Sequence, residues 1–335
     1  MDFFERLQKL DRRWIYLILA IAIILPLAFP FNSRTYTTRP TESLYRMIDS
    51  FAPPDGTNPV DHNRAFLMAI MHDASTMPEL FPMELALLRH AFERDIKVFT
   101  ITWLATAAPI LDLAINTVKE EFATREENPK QLISGVHYVN FGYKIPALYL
   151  PIILGMGEDI SNAVEIDAEG RQLSSLAAMT NIRNYNEMNL VVEFTGSSPG
   201  GTWITYARSR FGVNVAVGVT AVSAADVYPY LQTGQMIGML GGLKCAAEYE
   251  MLVESFAAYR SDDFPRGREF SREVLRAEMD DYRFALTNPN IPYNFKQARI
   301  GMNAQSVAHI LIIVFILIGN IGYFIQKYKQ KKETQ

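Results

Sequence analysis

Hydrophobic and polar positions along this chain fall into two kinds of pattern. Two long apolar runs, residues 14–31 (WIYLILAIAIILPLAFPF) and 307–325, contain no charged residue. At 1.5 Å per residue each approaches the ~30 Å of a bilayer's hydrocarbon core, so the pattern predicts two transmembrane helices. A cleaved signal peptide is the alternative for the first run, but the run is longer than a usual apolar signal core and PFNSR carries no A-x-A-like site. Between the runs, short apolar stretches alternate with amphipathic ones. Residues 65–72 (AFLMAIMH), 96–103 (IKVFTITW), 135–142 (GVHYVNFG), 190–195 (LVVEFT) and 213–220 (VNVAVGVT) read as buried strands. Helices are predicted from near Pro78, over 109–122, near 202–211 and from Ala224.

Five strands alternating with helices predict an α/β fold, a doubly wound, mostly parallel, Rossmann-like sheet. The expected division is a tail at 1–13, a span at 14–31, a proline- and turn-rich lead-in at 32–63, the α/β body at 64–260, an amphipathic helix and return linker at 261–306, a span at 307–325 and a basic tail at 326–335. In the return segment, Phe270, Val274, Met279, Tyr282 and Leu286 form one stripe of a charged helix over 266–288.

Charge then orients the chain. Arg6, Lys9, Arg12 and Arg13 precede the first run, and Lys327, Lys329, Lys331 and Lys332 follow the second; five basic residues, Arg34, Arg39, Arg46, Lys296 and Arg299, flank the inner ends. The bias places both tails in the cytoplasm and the body outside it. The expected setting is a bacterial inner membrane, with the lipid bilayer as the first partner.

Composition narrows the class. With 49% hydrophobic and 20% charged residues, the 335-residue chain is neither disordered nor collagen-like. Its single cysteine, Cys245, excludes an internal disulfide. A net charge of −4 with no basic-aromatic module argues against nucleic acid. The five histidines include no metal-binding spacing, so neither metal nor cofactor is expected.

Ligands of open parallel sheets bind beyond the carboxyl ends of the strands. Those ends nominate Asp73 and Ser75, Thr106, the group Gly196, Ser197, Ser198, Gly200 and Gly201, and Thr220. The TGSSPGGT stretch (195–202) joins a strand to a helix, where glycines admit backbone amides and a helix start carries partial positive charge, so a small anionic ligand is a candidate. It matches neither the P-loop nor the dinucleotide fingerprint, and a tight turn with a capping serine explains the same residues. SSPGG resembles the SPGG turn of the ClpP and signal-peptide-peptidase class of serine proteases over a handful of residues. In that class the turn aids oxyanion stabilisation and the nucleophile lies elsewhere, so no catalytic residue is carried over. Lys244 and His137 are the bases such a serine would call on.

Two small-residue groups suggest packing. Gly238, Gly242 and Ala246 recur at spacing four in a segment read as one helix from Met236, and Gly319, Asn320 and Gly322 lie in the second span, where Asn320 is expected to bridge the two spans. Anchors, a sheet-based body and a small-residue face together predict a membrane-anchored binding or scaffold protein, a homo-oligomer or a subunit of a larger membrane complex. The alternatives are an extracytoplasmic small-ligand sensor and a membrane-anchored serine hydrolase.

Overall fold

A computed structural model describes residues 11–31, 37–54, 60–125, 129–197, 200–259 and 296–333. The chain divides into two compact units, one of Met1–Arg34 with Asp281–Gln335 and one of Thr35–Asp280. In chain order the elements are α1 (Arg12–Ala28), α2 (Arg39–Asp49), β1 (Ala65–Met71), α3 (Met77–Glu93), β2 (Lys97–Thr102), α4 (Ala108–Ala123), β3 (Tyr138–Tyr143), α5 (Tyr149–Gly155), α6 (Ile160–Val164) and β4 (Leu190–Thr195). A π-helical turn, Trp203–Arg208, follows β4; then come β5 (Asn214–Val219), α7 (Ala224–Gln232), β6 (Gly238–Gly241), α8 (Gly242–Tyr259) and α9 (Gln297–Glu333).

The six strands form one sheet in the order β3-β2-β1-β4-β5-β6, every pair parallel. All five predicted strands are present. They are apolar on both faces because helices cover both faces. One face carries Leu67, Ala69, Phe99, Ile101, Val139, Phe141, Val191 and Val217, packed with Ile152 and Ile153 of α5, Ile160 of α6, Trp203 and Val227 of α7. On the other face lies α3, which packs against both α4 and α8. Buried from Leu80 to Phe92, α3 has no solvent stripe. It starts where Pro78 fits the first turn and Glu79 complements the helix dipole.

Besides α5 and α6, which fall in a stretch with no regular pattern, two elements were not foreseen. Within the lead-in, α2 buries Thr41, Leu44, Tyr45 and Ile48, spaced i, i+3, i+4 and i+7, and packs against β6 and α8. Tyr45 stacks on His90 of α3 at 4.1 Å between ring centroids, and His90 Nδ1 bonds Tyr249 Oη of α8 at 2.8 Å. The other is β6. The segment read as one helix from Met236 is a strand, Gly238–Gly241, followed by a helix that starts at Gly242 with φ +68°. Gly238 lies on the strand, Gly242 at the strand-to-helix corner and Ala246 within α8, so they share no helical face. A Cβ on Gly238 would lie 2.8 Å from Leu44 Cβ and from the Pro40 carbonyl oxygen, so the close approach that glycine allows is filled by α2 of the same chain.

In the other unit, α9 contains the stretch Gln297–Ile325, the one helix among the described residues long and apolar enough to cross a membrane. The expected first span is shorter than its apolar run: α1 has 17 residues, includes Arg12 and Arg13, and ends at Ala28 before Pro30. That is about 25 Å of helix, less than a hydrocarbon core. α1 and α9 pack together, and Asn303 Nδ2 donates to the Phe31 carbonyl oxygen at 2.5 Å. Asn303 thus ties α9 to the residues just after α1, while Asn320 is exposed. The helix expected at 266–288 lies outside the described residues.

Candidate functional site at the carboxyl edge of the sheet

From β1 the chain builds outward through β2 and β3; β4 then returns to the other side of β1 and continues through β5 and β6. The reversal falls between β1 and β4, where connections diverge to opposite faces and leave a crevice beyond the strand ends. Asp73 and Ser75 leave β1 there, and Gly196 and Ser197 leave β4. The two loops touch: a Cβ on Gly196 would lie 2.7 Å from Thr76 Cγ2, so glycine is needed for the close fit. Asp73 Oδ1 accepts hydrogen bonds from Ser75 N at 2.8 Å and Ser75 Oγ at 2.5 Å. These bonds hold the exposed Asp73 carboxyl below its ordinary range, as an anion. Thr106 stands exposed beyond β2. Thr220, beyond β5, is buried and donates to Ser223 Oγ at 3.2 Å. Ser198 lies outside the described residues.

The glycine turn after β4 is occupied from within. Glu193, in the middle of β4 and only 5% exposed, accepts a hydrogen bond from Gly200 N through Oε2 at 2.5 Å. Burial pushes its carboxyl up to about 7, against the lowering effect of that bond. Ser197 N donates to Thr195 Oγ1 at 3.2 Å. The amides of residues 197 and 200, which an anion would use, are therefore spent on the chain's own oxygens. Gly200 has φ +65°, and a Cβ there would meet Met236 Cε at 2.5 Å. Gly201 is exposed, with open space around its Cα.

On the face of the sheet that Glu193 shares lies an aromatic group that sequence reading missed. Trp103 follows β2, Tyr149 opens α5 and Trp203 opens the π-helical turn. Ring centroids are 4.5 Å apart for Trp103 and Tyr149, and 5.9 Å for Trp103 and Trp203, both edge to face. Both indole Nε1 atoms are buried with no hydrogen-bond acceptor among the described residues. Burial, with the neighbouring Glu193 charge, raises the Tyr149 phenol well above its ordinary value. The signal available in sequence was Glu193 itself, an acid inside the apolar strand LVVEFT.

A second buried polar pair supports the opposite face. His72, just past β1, bonds Glu84 Oε1 of α3 through Nε2, and its Nδ1 donates to the Asp73 carbonyl oxygen at 3.0 Å. Burial disfavours the imidazolium, but the bond and charge of Glu84 outweigh it and raise the His72 pKa; burial likewise raises Glu84. The pair retains its shared proton to higher pH than isolated side chains would.

These contacts limit the chemistry. Both ring nitrogens of His72 are engaged, so it is no base for a neighbouring hydroxyl. His137 precedes β3, at the amino edge; a six-residue strand puts about 20 Å between that edge and the level of Ser197. Its Nδ1 already accepts from Ile133 N at 3.0 Å. Lys244, in the first turn of α8, pairs with Glu248. No base stands by Ser197 among the described residues, and these residues contain no cluster of three metal-binding side chains. What the edge presents is an acceptor, the Asp73 carboxylate, with the hydroxyls of Ser75, Thr106 and Ser197 beside a carboxyl that titrates near neutrality. No family model, no curated protein and no solved structure matches this chain.

Proposed function

We propose that this is a membrane-anchored α/β binding protein whose body takes a small polar ligand at the β1/β4 end of the sheet. α9 holds it to the bilayer with the apolar helix α1 packed beside it, and the lysines that follow the 307–325 run favour a cytoplasmic carboxyl tail with the body outside. The carrying observation is the reversal of strand order between β1 and β4, which sets the loop that carries Asp73 and Ser75 against Gly196 through Thr76. With the amides of Ser197 and Gly200 engaged by Thr195 and Glu193, the favoured ligand is neutral or cationic and brings N–H or O–H donors to Asp73.

Thermal unfolding of the full chain in detergent, with amines, amino acids and hexoses against inorganic phosphate and AMP, tests this. Saturation at 100 times Kd stabilises by about 2.7 kcal/mol, or about 5–10 °C for a body of this size. An amine or hydroxyl ligand should give this shift, and Asp73→Asn should abolish it. A shift with phosphate or AMP alone, or none across the panel, refutes the reading. A second reading, a subunit of a larger membrane assembly, is favoured by Tyr143, Ile145 and Leu148, exposed apolar side chains at and just after the end of β3. Native mass in mild detergent separates the two, since a lone monomer rules out the assembly.

A further inference from the structure

From Ala308 onward in α9 the buried and half-buried positions recur at spacings of three and four: Ala308, Leu311, Phe315, Ile318, Gly322 and Ile325. This single stripe is the spacing with which one helix follows another, and α1 is the helix that α9 packs against. Two residues on from these positions lie Ile310, Ile313, Leu317, Asn320 and Phe324, exposed like the rest of the helix surface that the stripe leaves uncovered. Two residues turn a helix by about 200°, so this second seam lies on the side away from α1.

Asn320 is the anomaly in that seam. It sits about 6 Å along the axis from the midpoint of the 307–325 run, within the hydrocarbon if α9 spans the membrane. Its side chain is exposed and has no hydrogen-bond partner among the described residues. Beside it, Gly319 has nothing within 4 Å of the position a Cβ would take, leaving room for another backbone. An amide facing lipid forfeits its hydrogen bonds, whereas one facing another helix makes them.

We infer that this face binds α9 of a second copy of the chain, in a parallel two-fold pair with Asn320 opposite Asn320. A carboxamide both donates and accepts, so two copies satisfy each other reciprocally with no other polar group at that depth. Symmetry also sets Ile310, Ile313, Leu317 and Phe324 against their own counterparts, as an isologous contact requires. One polar amide in an otherwise apolar seam fixes register, so only one alignment satisfies both chains. The inference rests on reading α9 as a membrane span.

The test uses full-length protein in membranes, in a Cys245→Ala background, with single cysteines at 313, 317 and 324 or at 311, 315 and 318. Oxidation with copper phenanthroline should give a dimer of twice the chain mass from the first set and none from the second. Asn320→Leu should weaken dimerisation about tenfold, and Asn320→Gln should retain it. Alkaline carbonate extraction of the same membranes examines the span separately. If the wild-type chain is stripped, the spanning reading fails and the pairing with it. If the chain stays in the membrane but Asn320→Leu dimerises as wild type, or the crosslinks lack the rhythm, the pairing alone is overturned. Adducts of another mass in place of the dimer overturn it too.

Discussion

Replacing Glu193 by Gln should make the body more stable at neutral pH and remove part of its pH dependence. The carboxyl titrates near 7 in the folded chain against an ordinary value of 4.5. Because the folded value is raised, the folded state holds a proton that the unfolded chain has lost across that interval. Stability from this group is fully present below about pH 4.5 and is lost as pH rises through 7. At 1.36 kcal/mol per unit, the loss above pH 7 is about 3 kcal/mol. Glutamine is isosteric, accepts the same bond from Gly200 N and carries no charge to bury. Between pH 5 and pH 8 the Glu193→Gln protein should therefore gain on wild type by about 2–3 kcal/mol, or about 4–12 °C in Tm. Thermal melts of the full chain in detergent at half-unit pH steps measure the difference curve. His72 and Glu84 titrate in both proteins, so the difference isolates Glu193. Parallel curves for the two proteins would refute both the buried charge and its assignment to this residue.

Two further outcomes follow from the packing. Gly238→Ala puts a methyl group 2.8 Å from Leu44 Cβ and the Pro40 carbonyl oxygen, and should cost about 1–3 kcal/mol as α2 is pushed from β6; urea unfolding would show it, and an unchanged midpoint would mean that α2 does not pack there. Trp203→Phe removes an indole N–H that has no acceptor among the described residues and should cost at most about 1 kcal/mol, whereas Trp203→Ala leaves a cavity worth about 3–5 kcal/mol; equal losses for the two would show that the N–H has a partner.

Much of the fold was legible in local pattern. The five long strands announced themselves as Val-, Ile- and Phe-rich runs, and Pro78 with Glu79 marked the start of α3. β6 was not legible, because GMLG is four residues long and half glycine, and it leads into a helix whose own apolar positions extend the rhythm backward. Only pairing with β5 makes it a strand. α2 hid in a stretch whose prolines and turn residues masked a short amphipathic helix. The site was legible as an edge but not as chemistry: the strand ends named Asp73, Ser75, Gly196 and Ser197, yet the acid that occupies the turn is three residues inside β4. No spacing rule places Trp103, Tyr149 and Trp203 together.

Local pattern is enough to specify the apolar stretches, the alternation of strand and helix, and the carboxyl ends at which side chains gather, because each depends on neighbours a few residues apart. The strand order, the partner of each buried polar group and the covered face of α9 come from packing. Those depend on contacts between distant segments. The amide of Gly200 could have met a ligand or a carboxylate, and Asn320 could have met α1 or open space; only the packed chain distinguishes these, since a hydrogen bond is fixed by position in space and not by separation along the sequence.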